Sequence, residues 1–204
     1  MAEQSSTTAP GTRDRLVAAM LEALRTRGYH GIGLTELLTA AQAPKGVLYH
    51  HFPGGKAELA VRAIESVVTR LGNDLDKALQ RAGDPVDALG ARMGSAQRVL
   101  AGSGYSSGCP LATIALESTP DDDAIRAALA EGFAAIRMRL VDALVGAGMA
   151  QPQARGAAAL IVSAYEGALL QARVAGSVQA MRDTAEALVG LLRLALGQRS
   201  TPKA

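Results

Sequence analysis

Residues 34–59 read LTELLTAAQAPKGVLYHHFPGGKAEL. Leu34, Leu37, Leu38 and Ala41 recur at three- and four-residue spacings, the period of a short amphipathic helix. Gly33 is a tolerated N-cap for it, and Glu36 stands at the third helical position, where a carboxylate suits the positive helix end. Pro44 then disfavours a helical Ala43 and is welcome in the first turn of a new helix, so the chain breaks and restarts at Pro44 or Lys45. The restart predicts a two-turn helix, Lys45 to His51, ended by Pro53-Gly54-Gly55. All three histidines lie between His30 and His51, with Tyr29, Tyr49 and Phe52 in or beside the same region. Polar aromatics crowded into one small helical unit mark a contact surface.

Working towards the N-terminus, residues 1–11 are rich in Ser, Thr and Ala and read as a disordered tail. Thr12 is expected to cap a first helix, in which Leu16, Met20, Ala23 and Leu24 form one apolar stripe and Gly28 supplies the stop. Working towards the C-terminus, Gly55 or Lys56 begins a helix reaching Ala82, ~40 Å long at ~1.5 Å per residue. Asp84-Pro85 opens another through about residue 101. A Gly-Ser loop leads to Cys109-Pro110 and a short helix from Leu111 to Glu117. Ser118-Thr119-Pro120 and three aspartates announce a helix to about residue 147. Gln151-Pro152 starts the next, to Ala175, and Ser177 or Val178 the last. The reading is all-α, with about nine helices: a helix-turn-helix unit over 12–60 and a larger bundle over 61–204.

Composition agrees with packed helices. Apolar residues make up 49% of the 204, aromatics only 3%, and Ala, Leu and Val dominate. The single cysteine, Cys109, excludes an intramolecular disulfide, so a reducing cytoplasm is expected. No apolar run reaches the roughly 18 to 20 residues that span a bilayer, and the N-terminus lacks a signal-peptide core. A net charge of +2, and six Lys or Arg against five Asp or Glu in residues 1–60, do not announce a nucleic-acid partner in bulk. Any such role needs a local argument. No histidine spacing suits a metal, no glycine loop follows a strand, and no nucleophile has a base, so neither an enzyme nor a cofactor is expected.

The local argument is the helix-turn-helix shape, in which the second helix enters the major groove. Only Leu48 and Phe52 are clearly available to the core there. Lys45 is placed to reach a guanine edge or a phosphate, Gly46 lets the backbone approach, and Val47 or Pro44 can touch a thymine methyl. Tyr49 and His50 or His51 can donate to phosphates. Lys56 stands where helix N–H groups already favour an anion. The competing reading is a polar, solvated turn with Tyr49 and one histidine as half-buried supports.

The run LLTAAQAPKGVLYHHFPGGKAEL resembles the DNA-binding signature of the TetR family of bacterial transcriptional regulators, from about Arg13 to Ile64. FPGGK, SGCPLATIALE and YEGALLQARV are similar to its LmrA/YxaF-like subgroup. The resemblance implies a three-helix DNA-binding domain on a six-helix domain that binds a ligand and dimerises. Carried over by position, the recognition helix is Lys45 to His51, phosphate contacts fall on Tyr49 and Lys56, and Lys45, Gly46 and Val47 lie near bases; Thr35, Pro44, His50 and His51 complete the expected interface. Three positions depart from the pattern: Gly33 for a small hydroxyl residue, Gln42 for the turn glycine, and Pro44 for a serine cap. A non-glycine residue at positive φ costs on the order of 1 kcal/mol.

The resemblance also implies a regulatory pocket in the bundle. Met93, Leu100, Cys109, Ile114, Phe133, Tyr165 and Leu169 are its expected walls, with Glu117, Arg137 and Glu166 as polar anchors; ordinary core is the competing reading for the apolar ones. Cys109 precedes a helix, and a helix N-terminus lowers a thiol pKa. Small residues such as Ala159, Ser163 and Gly167 allow close helix approach, and Leu188, Leu191 and Leu192 match them, either within one chain or across a homodimer. The expected function is a cytoplasmic, ligand-responsive repressor that leaves a palindromic operator when a small hydrophobic or aromatic molecule binds. The alternatives are a thiol redox sensor acting through Cys109, or a helical interaction protein without DNA binding.

Overall fold

The computed structural model describes residues 11–197. Within them the chain forms nine helices: α1 (Thr12–Thr26), α2 (Leu34–Ala40), α3 (Lys45–His51), α4 (Gly55–Ala82), α5 (Pro85–Gly102), α6 (Pro110–Glu117), α7 (Asp123–Gly146), α8 (Gln151–Ala175) and α9 (Gln179–Gly197). The all-α reading therefore holds, and α3 has the bounds expected from its flanking prolines. Of the expected tail, only Gly11 lies within the described residues.

Helix ends follow local chemistry. Asp84 caps α5 by accepting the Val86 and Asp87 N–H groups at 2.7 and 3.0 Å, and α4 and α8 stop at left-handed Gly83 and Gly176. One expected cap moves: Gly11 occupies the N-cap of α1, and Thr12 is the first helical residue. Its hydroxyl accepts from Arg15 Nη2 at 3.2 Å.

Two large apolar cores stack along α4. The first joins Leu16, Met20 and Leu24 of α1, Leu37 of α2, Leu48 and Phe52, and Leu59 and Ile64 of α4. It also takes in Leu111 and Ile114 of α6 and Ile125 and Leu129 of α7, so the N-terminal unit shares its core with the bundle. The division expected at residue 60 falls inside continuous α4. The second core gathers Leu75, Val86, Met93, Leu140, Leu144, Ile161, Leu188 and Leu192 from α4, α5, α7, α8 and α9. A smaller group around Leu100, Leu169 and Met181 packs at the side. No helix among the described residues is long and apolar enough to cross a membrane.

Candidate nucleic-acid interface and ligand cavity

Helix α3 is anchored by few residues and open elsewhere. Leu48 and Phe52 are fully buried, while Lys45, Gly46 and His50 are exposed, Val47 and His51 half-buried, and Tyr49 exposed at 47%. A side chain at Gly46 would meet nothing within 4 Å, so its backbone stands clear for a close approach. Exposed Thr35, on α2, lines an open hollow with Thr39, Gln42, Pro44 and Lys45. Gln42 makes the turn with φ +50°, the left-handed conformation that its departure from glycine led us to expect. Arg15 braces that turn: Nε donates to the Ala41 carbonyl at 3.1 Å and Nη2 to the Gln42 carbonyl at 3.3 Å.

Lys56, expected at a phosphate, is held by a contact within the chain. Its Nζ donates to the Tyr29 carbonyl at 2.6 Å and stands 4.4 Å from the centre of the Tyr29 ring. Burial lowers its pKa, against the opposing pull of Glu117. The end of α4 is also occupied, since Glu58 Oε2 accepts the Gly54 N–H at 2.8 Å. Lys56 thus works as a tie to the α1–α2 link rather than as a free cation. At the same helix end Gly55 has φ +65°, and a Cβ there would sit 3.3 Å from Tyr49 Cε1, so the glycine gives the Tyr49 ring its seat.

A cavity of about 360 Å³ lies between α4, α5, α7 and α8, within the range of small-molecule sites. Of the ten residues expected in it, Met93, Leu100, Cys109, Phe133, Tyr165, Glu166 and Leu169 line it. Ile114, Glu117 and Arg137 do not. Ile114 is buried in the first core; the Glu117 carboxylate accepts the His30 N–H at 3.1 Å; Arg137 points outward from α7. The periodicity of α6 and α7 left the facing side open, and the tertiary partners decide it.

Arg25, Arg70 and Arg92 also line the cavity and escaped sequence reasoning, because an arginine on an amphipathic helix reads as a solvated face. Arg25 belongs to the last turn of α1. Its carbonyl accepts the Gly108 N–H at 3.2 Å, so α1 and the loop before α6 close one end together. Burial raises the Cys109 thiol far above its usual range, Glu166 adds to this, and backbone hydrogen bonds oppose it. The lowering expected from the α6 N-terminus is present in the hydrogen bonds from Ala112 and Leu111, but burial outweighs it. Burial also raises Glu166, with the Cys109 hydrogen bond acting the other way, and pushes Tyr165 up to about 12, partly offset by Arg92 and Arg25.

The expected interface residues on α8 and α9 separate into two faces. Leu188 and Leu192 are buried in the second core, a correction to their assignment at an interface: the i, i+4 stripe to which they belong is the one turned inward. Ala159 and Ser163 are exposed, Gly167 is half-buried and Leu191 is 55% exposed. Leu160, Leu170, Val174 and Leu194 are exposed as well.

Comparison with known proteins fits this geometry. Residues 16–63 match the family of bacterial regulatory proteins, tetR family, and residues 85–187 match the C-terminal domain of transcriptional regulators that are LmrA/YxaF-like. The chain belongs to the TetR family. Its C-terminal half places it in the LmrA/YxaF-like subgroup. The TetR-family chain is 24% identical over 159 residues to the transcriptional regulator LmrA of Bacillus subtilis, covering 78% of this chain and 85% of LmrA. Among solved structures, a TetR regulatory protein from Rhodobacter sphaeroides superposes with a TM-score of 0.77 at 26% identity, covering 88% of this chain and 97% of that one. The reduced form of Escherichia coli NemR gives 0.73 at 25% identity, over 90% and 97%. This TetR-family member is a DNA-binding transcriptional regulator of the repressor type, not an enzyme.

Proposed function

We propose that the protein is a homodimeric repressor whose operator binding is released by a small molecule in the bundle cavity. Support comes chiefly from one relationship: Arg25 of α1 lines the cavity while its carbonyl holds Gly108 of the loop before α6. A ligand there touches the DNA-binding unit's own first helix. The exposed apolar residues of α8 and α9, Ala159 and Leu191 among them, form the dimer face together with Ser163 and half-buried Gly167, and two copies of α3 enter successive major grooves about 34–36 Å apart. Thr35, Pro44, Lys45, Gly46, Val47, Tyr49, His50 and His51 form the DNA-facing set. An effector that prefers the free conformer a hundredfold shifts the equilibrium by about 2.7 kcal/mol.

Gel-shift titration on the DNA upstream of the chain's own gene, with and without candidate effectors, tests this. A discrete complex that an effector dissolves is expected. A complex insensitive to every cavity-binding molecule contradicts it.

A further inference from the structure

The cavity has unbalanced charge. Met93, Phe133 and Ile136 give it apolar walls, yet Arg25, Arg70 and Arg92 face it too. None of these three guanidiniums makes a hydrogen bond or ion pair through its side chain among the described residues. Arg70 is exposed, so water serves it, whereas Arg25 and Arg92 are half-buried and both act electrostatically on Tyr165. A guanidinium cannot shed its proton to relieve burial. Two acids line the same space, Asp74 and Glu166. Glu166 is pushed towards its neutral form by burial and receives the Cys109 hydrogen bond, which leaves Asp74 against three cations. A half-buried charge without a partner is unfavourable, and an arriving anion relieves it, whereas an arriving cation adds repulsion.

We propose that the cavity takes an amphipathic organic acid, an apolar body carrying one carboxylate that Arg25 and Arg92 meet beside Tyr165. This rests on the reading of the cavity as the effector site, and it names the effector's chemistry. Guanidinium and carboxylate match as a planar, charge-assisted pair, and the apolar walls receive the rest. Because Arg25 stands on α1, the acid's charge acts directly on the helix that Arg15 links to the α2–α3 turn.

The test uses two sets of equal-shaped probes: 2-naphthoate, 2-naphthalenemethanol and 2-naphthylmethylamine, and octanoate, octanol and octylamine. Each is titrated calorimetrically into the full-length protein at neutral pH. In at least one set the acid is expected to bind at least about tenfold more tightly than the alcohol, with the amine weakest, and Arg25→Gln/Arg92→Gln is expected to reduce the acid's advantage to less than about threefold while leaving the alcohol's affinity unchanged. An alcohol or amine that binds as tightly as its acid in both sets overturns the carboxylate but leaves the cavity as an effector site. Acid preference that survives in a folded double variant overturns the role of the two arginines. Should that variant fail to fold, Arg92→Gln alone is held to the same standard. Binding of none of the six probes overturns the effector-site reading and this inference with it.

Discussion

Glu117, the last residue of α6, accepts the backbone N–H of His30 at 3.1 Å across 87 positions of sequence. Gly28 makes room for it. At φ +77° a Cβ on residue 28 would lie 1.9 Å from Glu117 Oε1, so the end of α6 and the α1–α2 link interlock only through a glycine. His30 Nε2 also lies 3.5 Å from Asp122, which ties the same link to the start of α7.

Gly28→Ala combines a left-handed alanine with a displaced carboxylate, and it should destabilise the protein by about 1–3 kcal/mol. Gly146→Ala is the control: nothing lies within 4 Å of its Cβ position, and a helical alanine there should be neutral or stabilise by up to about 1 kcal/mol. Urea unfolding of both variants measures the contrast. Equal effects would show that the α6 contact contributes nothing.

Lys45 and Lys56 should behave differently. Lys45 is exposed at the start of α3, and Lys45→Ala should weaken DNA binding and lower the salt slope of log affinity by about 1, with little change in stability. Lys56→Ala removes the hydrogen bond to the Tyr29 carbonyl and should cost about 1–2 kcal/mol in stability, leaving the salt slope near its original value. Affinity measured from low to moderate salt, paired with thermal unfolding, separates the two. A salt slope that falls as far for Lys56→Ala as for Lys45→Ala would show that Lys56 meets a phosphate as well.

Gln42 occupies a left-handed conformation at φ +50° and is exposed. Gln42→Gly should therefore stabilise the fold by about 1 kcal/mol, read as a rise in the urea midpoint. A fall in the midpoint would mean that the glutamine side chain contributes more than its backbone strain costs.

Glu166 predicts a pH dependence whose sign follows from its raised pKa. Burial raises it above the 4.5 of a free carboxyl, so the folded state holds the proton where the unfolded chain has lost it. Stability falls as pH rises from about 4.5 towards the raised folded pKa, by the linkage between proton binding and folding. Glu166→Gln cannot ionise, and its stability relative to the original protein should increase across that interval. Unfolding free energies at successive pH values give the difference curve; one that is flat, or opposite in slope, contradicts the assignment.

What the residues disclosed in advance was local chemistry. Pro44 and Pro53-Gly54-Gly55 bracket α3, so its bounds needed no tertiary information, whereas the positive φ of Gln42 was signalled only by the family resemblance, which puts a turn glycine at that position. Contacts remote in sequence were hidden. Glu117 reads as a carboxylate in an apolar stretch, and only folding shows that it meets the His30 N–H instead of the cavity. Lys56 offered a helix-end cation, but its hydrogen bond to the Tyr29 carbonyl, 27 positions earlier, was not legible. On α9 the leucine spacing is the same for Leu188, Leu191 and Leu192, and the choice of inward face depends on the packing of α5 and α8. Arg25 and Arg92 escaped because a charged residue on a helix carries no sign of whether its neighbours leave it water.

The most direct test compares binding of the protein to its footprinted upstream site and to a scrambled duplex of equal length, by fluorescence anisotropy at fixed moderate salt. At least about a thousandfold preference for the site is expected, falling by about tenfold or more with Lys45→Ala, whose side chain lies near bases, while binding to the scrambled duplex changes far less; Tyr49→Ala, at a phosphate, should weaken binding to both duplexes. Equal affinity for the two duplexes, unaltered by either substitution in folded protein, would contradict this expectation.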